Sequence, residues 1–98
     1  MYSSYLRELR HALHKIPELG FQEKKTAAVI AKELRRLGVP FHSGIAKTGI
    51  VAVIRGESAK PCVMFRADMD GLAIEEKNNL PYRSKHGGVM HACGHDGH

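Results

Sequence analysis

Tryptophan is missing altogether from these 98 residues, and cysteine occurs only twice, as Cys62 and Cys93. Two cysteines cannot build a disulfide framework, and a reducing compartment would keep both as thiols. No apolar run approaches the roughly 20 residues of a membrane span. The opening stretch, MYSSYLRELRHALHK, has no apolar centre of the kind a secretory signal needs. These absences predict a cytoplasmic protein with no membrane partner. Internal repeats and low-complexity segments are also missing, so repeat architectures are excluded. The composition, 43% hydrophobic and 26% charged, is that of a soluble globular chain, one small domain or a piece of a larger one.

The net charge of +5 raises the question of nucleic acid. Eight of the fifteen basic residues (Arg7, Arg10, Lys15, Lys24, Lys25, Lys32, Arg35 and Arg36) fall in the first 36 positions, interleaved with Glu8, Glu18, Glu23 and Glu33. That mixture describes the solvated faces of two helices and not a phosphate-binding stripe, so no nucleic-acid partner is predicted.

The spacing of Leu6, Leu9 and Leu13 predicts a helix over 3–15, with Ser3 or Ser4 as its cap. Pro17 and Gly20 end it. A second helix is predicted over 22–37, with Ala27, Ile30, Leu34 and Leu37 as its apolar stripe and Gly38 and Pro40 as its stop. The period then changes. GIVAVIRG (49–56) and CVMFRA (62–67) are short apolar runs rich in β-branched residues, read as two adjacent strands forming a hairpin. The second run, apolar throughout, is expected in the middle of a sheet and buried on both faces. From Gly71 onward the chain reads mostly as loop. Two helices and two strands leave a central strand short of a neighbour, so the architecture looks unfinished. Made alone, the chain is expected to be catalytically inert and poorly folded.

Chemistry concentrates in two places. In MHACGHDGH, three histidines, a cysteine and an aspartate lie between His91 and His98. Cys93 and His95, separated by a glycine that lets the backbone bend, are a thiolate and an imidazole able to face one ion, ligand types suited to zinc and other borderline-soft divalent metals. His91, Asp96 and His98 offer further ligands or supporting partners. The alternative is a loop that happens to be rich in histidine. A zinc finger is excluded because no second Cys/His pair stands at finger spacing, and c-type haem because Cys-x-x-Cys-His is absent. Cys93 as a nucleophile activated by an imidazole is the rival chemical reading.

The second place is FRADMDGL. Asp68 and Asp70 follow the predicted central strand, where α/β sheets place functional groups. Residues i and i+2 of an extended segment point the same way, so both carboxylates can face one site. A solvated acidic turn explains them equally well. Arg66 can pair with either acid. Cys62 reads as a buried core thiol, His11 and His14 as surface residues of a helix, and His42 and His86 as lone loop histidines.

Four stretches taken together, LRHALHKIPELGFQEKKTAAVIAKELRRLG, KTGIVAVIRG, FRADMDGLAI and MHACGHDGH, resemble the opening of the hippurate hydrolase and auxin-conjugate hydrolase group of metal-dependent amidohydrolases. N-acyl-amino-acid amidohydrolases and N-acetyldiaminopimelate deacetylases belong to the same group. It stands beside the aminoacylases and carboxypeptidase-G-type enzymes among the dinuclear metallopeptidases. The resemblance covers nearly the whole chain, in order. It implies an α/β fold, residues 1–98 being the N-terminal part of a catalytic domain with a mixed sheet between helices. The rest of that domain and a smaller inserted dimerisation domain would lie outside these residues, in a protein of roughly four times this length.

The resemblance further implies that Cys93 and His95 are metal ligands and that Asp68 and Asp70 stand where related enzymes carry a catalytic aspartate. Asp68 occupies the position that is histidine in the wider superfamily's His-x-Asp motif. Two divalent ions per complete site are implied, zinc or manganese, with cobalt or nickel as alternatives. The implied substrate is a small N-acyl amino acid, the implied full-length form a homo-oligomer. A general-base glutamate and the remaining ligands would lie downstream. Two other readings compete with this one: a cysteine-nucleophile amidase, and a non-catalytic metal-binding product of a truncated gene.

Overall fold

The computed structural model describes residues 2–98. Two helices, α1 (Tyr2–His14) and α2 (Lys24–Arg36), precede an antiparallel pair of strands, β1 (Phe41–Ile45) and β2 (Gly49–Ala52). A single 3-10 turn, η1 (His95–Gly97), lies near the C-terminal end. Both helices fall within two or three residues of the spans their periodicity predicts.

Helix α2 draws its N-terminal cap from a distance. The Glu18 carboxylate accepts the backbone N–H of Thr26 at 2.7 Å, the Thr26 hydroxyl at 2.8 Å and the backbone N–H of Lys25 at 3.1 Å. A negative charge on unsatisfied N–H groups at the positive end of a helix is doubly favourable. Partial burial pushes the Glu18 carboxyl up, but these bonds outweigh it and hold the group below its ordinary value. The next tie comes from the buried Glu23, which accepts the Thr48 hydroxyl at 3.3 Å and fastens the start of α2 to the hairpin turn.

The strand pairing departs from expectation. The partner of β2 is 41–45 and not 62–67, with Phe41 opposite Ala52 and Ser43 opposite Ile50. Ala46 and Lys47 both take positive φ, which makes a tight reversal, and the register shifts between Ser43 and Ile45. Closing so short a loop costs less entropy than reaching across the 52–62 segment. The CVMFRA run forms no strand: Val63 is 72% exposed, Met64 86% and Phe65 94%. Cys62, expected in a core, is also exposed. A run that is apolar on both faces needs a strand on each side, and no such neighbour exists among the described residues.

After this stretch the chain returns to the helices. Gly71 donates its N–H to the Glu18 carbonyl at 2.7 Å, and Leu72 and Met90 exchange backbone bonds at 2.8 and 2.9 Å. A side chain on Gly71 would meet Pro17 Cβ at 3.0 Å and the Met90 carbonyl oxygen at 3.2 Å, so only glycine passes here without displacement. Lys85 N–H reaches the Lys15 carbonyl at 2.8 Å. His86, expected to be alone, donates Nδ1–H to the Pro17 carbonyl at 2.7 Å.

The centre of this wrapping is polar. Ala31 and Pro17 are buried, but so are His14, Glu76, His91 and Asp96. His14 was expected on the surface and is 3% exposed. Its Nδ1 lies 2.7 Å from Asp96 Oδ2, and its Nε2 lies 3.1 Å from each Glu76 oxygen. Each ring nitrogen therefore has a carboxylate partner. Arg10, one turn earlier on α1, adds its Nε at 2.9 Å to Asp96 Oδ2, so one carboxylate oxygen is shared by two side chains of the same helix. Glu76 also accepts Ser84 N–H at 2.6 Å and the Asn78 amide at 3.1 Å.

Burial alone would raise the Glu76 carboxyl. The Ser84 N–H, His14 and Asn78 outweigh it and lower the group to about 2. A carboxyl depressed in the folded state stabilises the fold above its unfolded value, and that stability is lost as pH falls through the folded one. The thermal midpoint is therefore expected to drop between about pH 4.5 and about pH 2, and Glu76→Gln should flatten that part of the curve. An unchanged slope in Glu76→Gln would remove Glu76 from the account. Limited digestion with chymotrypsin should cut first at the exposed Phe65, before Tyr5 in α1 or Phe41 in β1. Early cleavage at Tyr5 would contradict the exposure pattern.

Candidate metal centre

The residues picked out from the sequence divide in space. Asp68 and Asp70 converge on His95. His95 Nδ1 is 2.9 Å from Asp70 Oδ1 and 3.1 Å from the Asp70 carbonyl, while Nε2 is 3.7 Å from Asp68 Oδ2. The expectation that both acids face one side is met. Asp70 fixes the ring by accepting Nδ1–H, which leaves the Nε2 lone pair turned toward Asp68. Arg66 holds Asp68 from the other side, Nη2 to Oδ1 at 2.7 Å.

Gly94 makes the bend that the Cys-Gly-His spacing requires, with φ 85 in the left-handed region. The side chains around it then alternate in direction. Cys93 is an exposed free thiol, His95 is half-buried toward Asp68 and Asp70, and His91 and Asp96 point inward and are buried. His98 is exposed, its ring 6.1 Å from that of His95. Burial pushes the His91 imidazole below its ordinary value, against the opposing field of Asp96. His91 Nδ1 and Nε2 and Asp96 Oδ1 are buried without hydrogen-bond partners among the described residues.

Cys93 has no hydrogen bond, and both nitrogens of His95 are turned to aspartates. Among the described residues no group of three or more His, Cys, Asp or Glu side chains converges at ligand distance. The donor set itself suits a divalent ion. An imidazole oriented by a carboxylate on one nitrogen, as Asp70 orients His95, is the arrangement metal-bound histidines adopt. The 3.7 Å between Nε2 and Asp68 Oδ2 is too long for a hydrogen bond.

Sequence reasoning missed His14, Arg10 and Glu76. The i, i+4 spacing of Arg10 and His14 on one face of α1 was the available signal.

The fold and this site define a class: an α/β scaffold matching the N-terminal part of a dinuclear metallopeptidase domain. The family model of Peptidase family M20/M25/M40 matches residues 64–98, the stretch that contains both acids and the Cys-Gly-His loop. Over those residues the chain is similar to that family. It is 47% identical over 91 residues to a hippurate hydrolase of Campylobacter jejuni, covering 93% of this chain and 24% of that protein. To an N-acetyl-L-cysteine deacetylase of Bacillus subtilis it is 51% identical over 90 residues, covering 92% and 22%. The crystal structure of Bacillus subtilis YXEP, a dinuclear metal-binding peptidase of the M20 family, superposes with a TM-score of 0.89 at 42% identity, over 95% of this chain and 26% of that one. The chain thus spans about a quarter of the length of these relatives.

Asp70→Asn keeps the shape at His95 but removes the charge that orients it. Affinity for a divalent ion, measured by isothermal titration, should fall about 10–100-fold. Undiminished affinity would show the Asp70–His95 bond to be a loop tie and nothing more.

Proposed function

We propose that residues 1–98 act as the N-terminal part of the catalytic domain of a metal-dependent amidohydrolase that cleaves the amide bond of N-acyl amino acids. The observation that supports this best is the convergence of Asp68 and Asp70 on His95, in the loop that also carries Cys93. The substrate class follows from the relatives, which are named for hippurate, N-acetyl-L-cysteine and N-acetyldiaminopimelate. N-acetyldiaminopimelate deacetylation is the alternative within the same class.

In this reading Cys93 and His95 hold metal, and a thiolate ligand favours zinc, manganese, cobalt or nickel over calcium or magnesium. Bound divalent ions, two in the complete site, supply Lewis-acid polarisation of a carbonyl and a bound water of lowered pKa. Asp70 keeps the proton of His95 on Nδ1, so that Nε2 stays a ligand. Asp68, paired with Arg66, places a carboxylate at the same spot and is the first candidate for the functional acid, with Asp70 next. Gly94 gives the turn that lets Cys93 and His95 act from one loop. The general base and the remaining ligands are assigned to chain beyond these residues, as is an inserted dimerisation domain. No helix among the described residues is long and apolar enough to cross a membrane. The proposed setting is the cytoplasm, without nucleic acid, and the proposed full-length form is a homo-oligomer.

The test compares two polypeptides. Residues 1–98 alone, supplied with zinc or manganese, should not hydrolyse an N-acyl amino acid. In a chain of the relatives' length that begins with these residues, Cys93→Ala should lose bound metal and turnover together. Cys62→Ala should keep both and change stability by about 0.5 kcal/mol or less, because Cys62 is exposed. An active Cys93→Ala enzyme with normal metal content would overturn the ligand assignment. Metal-dependent turnover by residues 1–98 alone would show that no further chain is needed.

A further inference from the structure

We infer that His14, on α1, is a positioning residue for the Cys93–His95 loop. It holds that loop in its ligating shape through Asp96, in a role distinct from that of any ligand. The inference rests on the metal-binding reading proposed above. Its own basis is the cluster of buried His14, Glu76 and Asp96 with the half-exposed Arg10 at its edge.

Asp96 follows His95 directly, and both belong to η1. The Asp96 side chain is 1% exposed, and its Oδ2 takes both His14 Nδ1–H at 2.7 Å and Arg10 Nε–H at 2.9 Å. The other nitrogen of His14 is held by Glu76, whose carboxylate is in turn fixed by Ser84 N–H and the Asn78 amide. The His14 ring therefore has one orientation that satisfies both sides. Asp96 cannot leave it without stranding a buried charge, a change that is strongly destabilising. At its other end the loop is tied at Met90 by the paired bonds to Leu72. Between these two anchors lie Cys93, Gly94 and His95. Gly94 has no Cβ and sits at φ 85, so the segment has no stiffness of its own. Without the anchor at Asp96, two ligands on a freely bending glycine would each have to be ordered by the ion. With it, the backbone of His95 is set one peptide bond from a fixed point, and Asp70 sets its ring. Supporting contacts of this type typically change metal affinity 10–100-fold.

A merely structural role for His14 would lower stability without altering the loop in molecules that remain folded. The two are separated in a chain of the relatives' length that begins with these residues, with and without Co2+ as the probe. In the metal-free chain, amide exchange is followed by NMR at Gly97 and His98, whose N–H groups bond to the Gly94 and His95 carbonyls at 2.9 and 3.2 Å. His14→Ala should speed exchange at these two amides about tenfold or more while the α2 amides keep wild-type rates. Co2+ affinity should fall about 10–100-fold, and the thiolate-to-cobalt absorption should weaken. His14→Gln, which keeps an N–H donor, should recover part of both. If His14→Ala fails to fold, Glu76→Gln decides: it leaves the ring in place but loosens its orientation, and should shift both readouts in the same direction by a smaller factor. Wild-type exchange at Gly97 and His98 together with wild-type cobalt affinity in the folded variants would overturn the inference. A wild-type chain without a thiolate-to-cobalt band, or a Cys93→Ala chain that binds Co2+ equally well, would instead overturn the metal-binding reading. The metal-free exchange would then still decide whether His14 anchors the loop.

Discussion

A cluster of polar side chains along α1, with His14, Glu76 and Asp96 buried and Arg10 at its edge, holds the rest of this structure in place. Arg10 and His14 come from one helix, Glu76 from the long irregular segment, and Asp96 from the last turn. Ionic groups are costly to bury, and such a set is tolerable only when every charge is matched and bonded. Here His14 and Arg10 face Glu76 and Asp96, and Ser84 and Asn78 also bond Glu76, while Asp96 Oδ1 has no partner among the described residues. A shape match between apolar surfaces tolerates sliding. A pair of directed bonds on one imidazole ring does not. The quartet therefore sets where the last thirty residues lie against α1, although it contributes no catalytic group itself.

The candidate site inherits its geometry from that arrangement. Asp68 and Asp70 reach it because the chain turns in at Gly71, between Pro17 and Met90. His95 reaches it because Asp96 is drawn the other way, into the helix. One residue faces inward to a structural anchor and its neighbour faces outward to two carboxylates. The division of labour along Cys93-Gly94-His95-Asp96 is thus a consequence of direction: alternate side chains of a tight loop serve different surfaces.

Much of this was legible in the sequence, and the gaps have identifiable causes. Helices α1 and α2 announce themselves through local periodicity, and the DMD and Cys-Gly-His motifs through residue type and spacing, all short-range signals. The burial of His14 was not legible, because its partners lie 62 and 82 positions away and the helix around it is rich in charge. Strand pairing failed for a different reason. Apolar runs show which segments want partners but not which partner each obtains. Ala46 and Lys47, non-glycine residues that both take positive φ, made the turn that pairs β2 with 41–45. The run at 62–67 kept its hydrophobic pattern without a surface to satisfy it.

Glu18 ties two functions into a single lever. Its carboxylate grips the first turn of α2, while its backbone carbonyl, on the opposite side of the chain, takes the N–H of Gly71 next to Asp70. Helix and acidic motif are thereby geared to one another through one residue. The start of α2 and the residue after Asp70 thus share one point of attachment, so losing the Glu18 segment would free both at once.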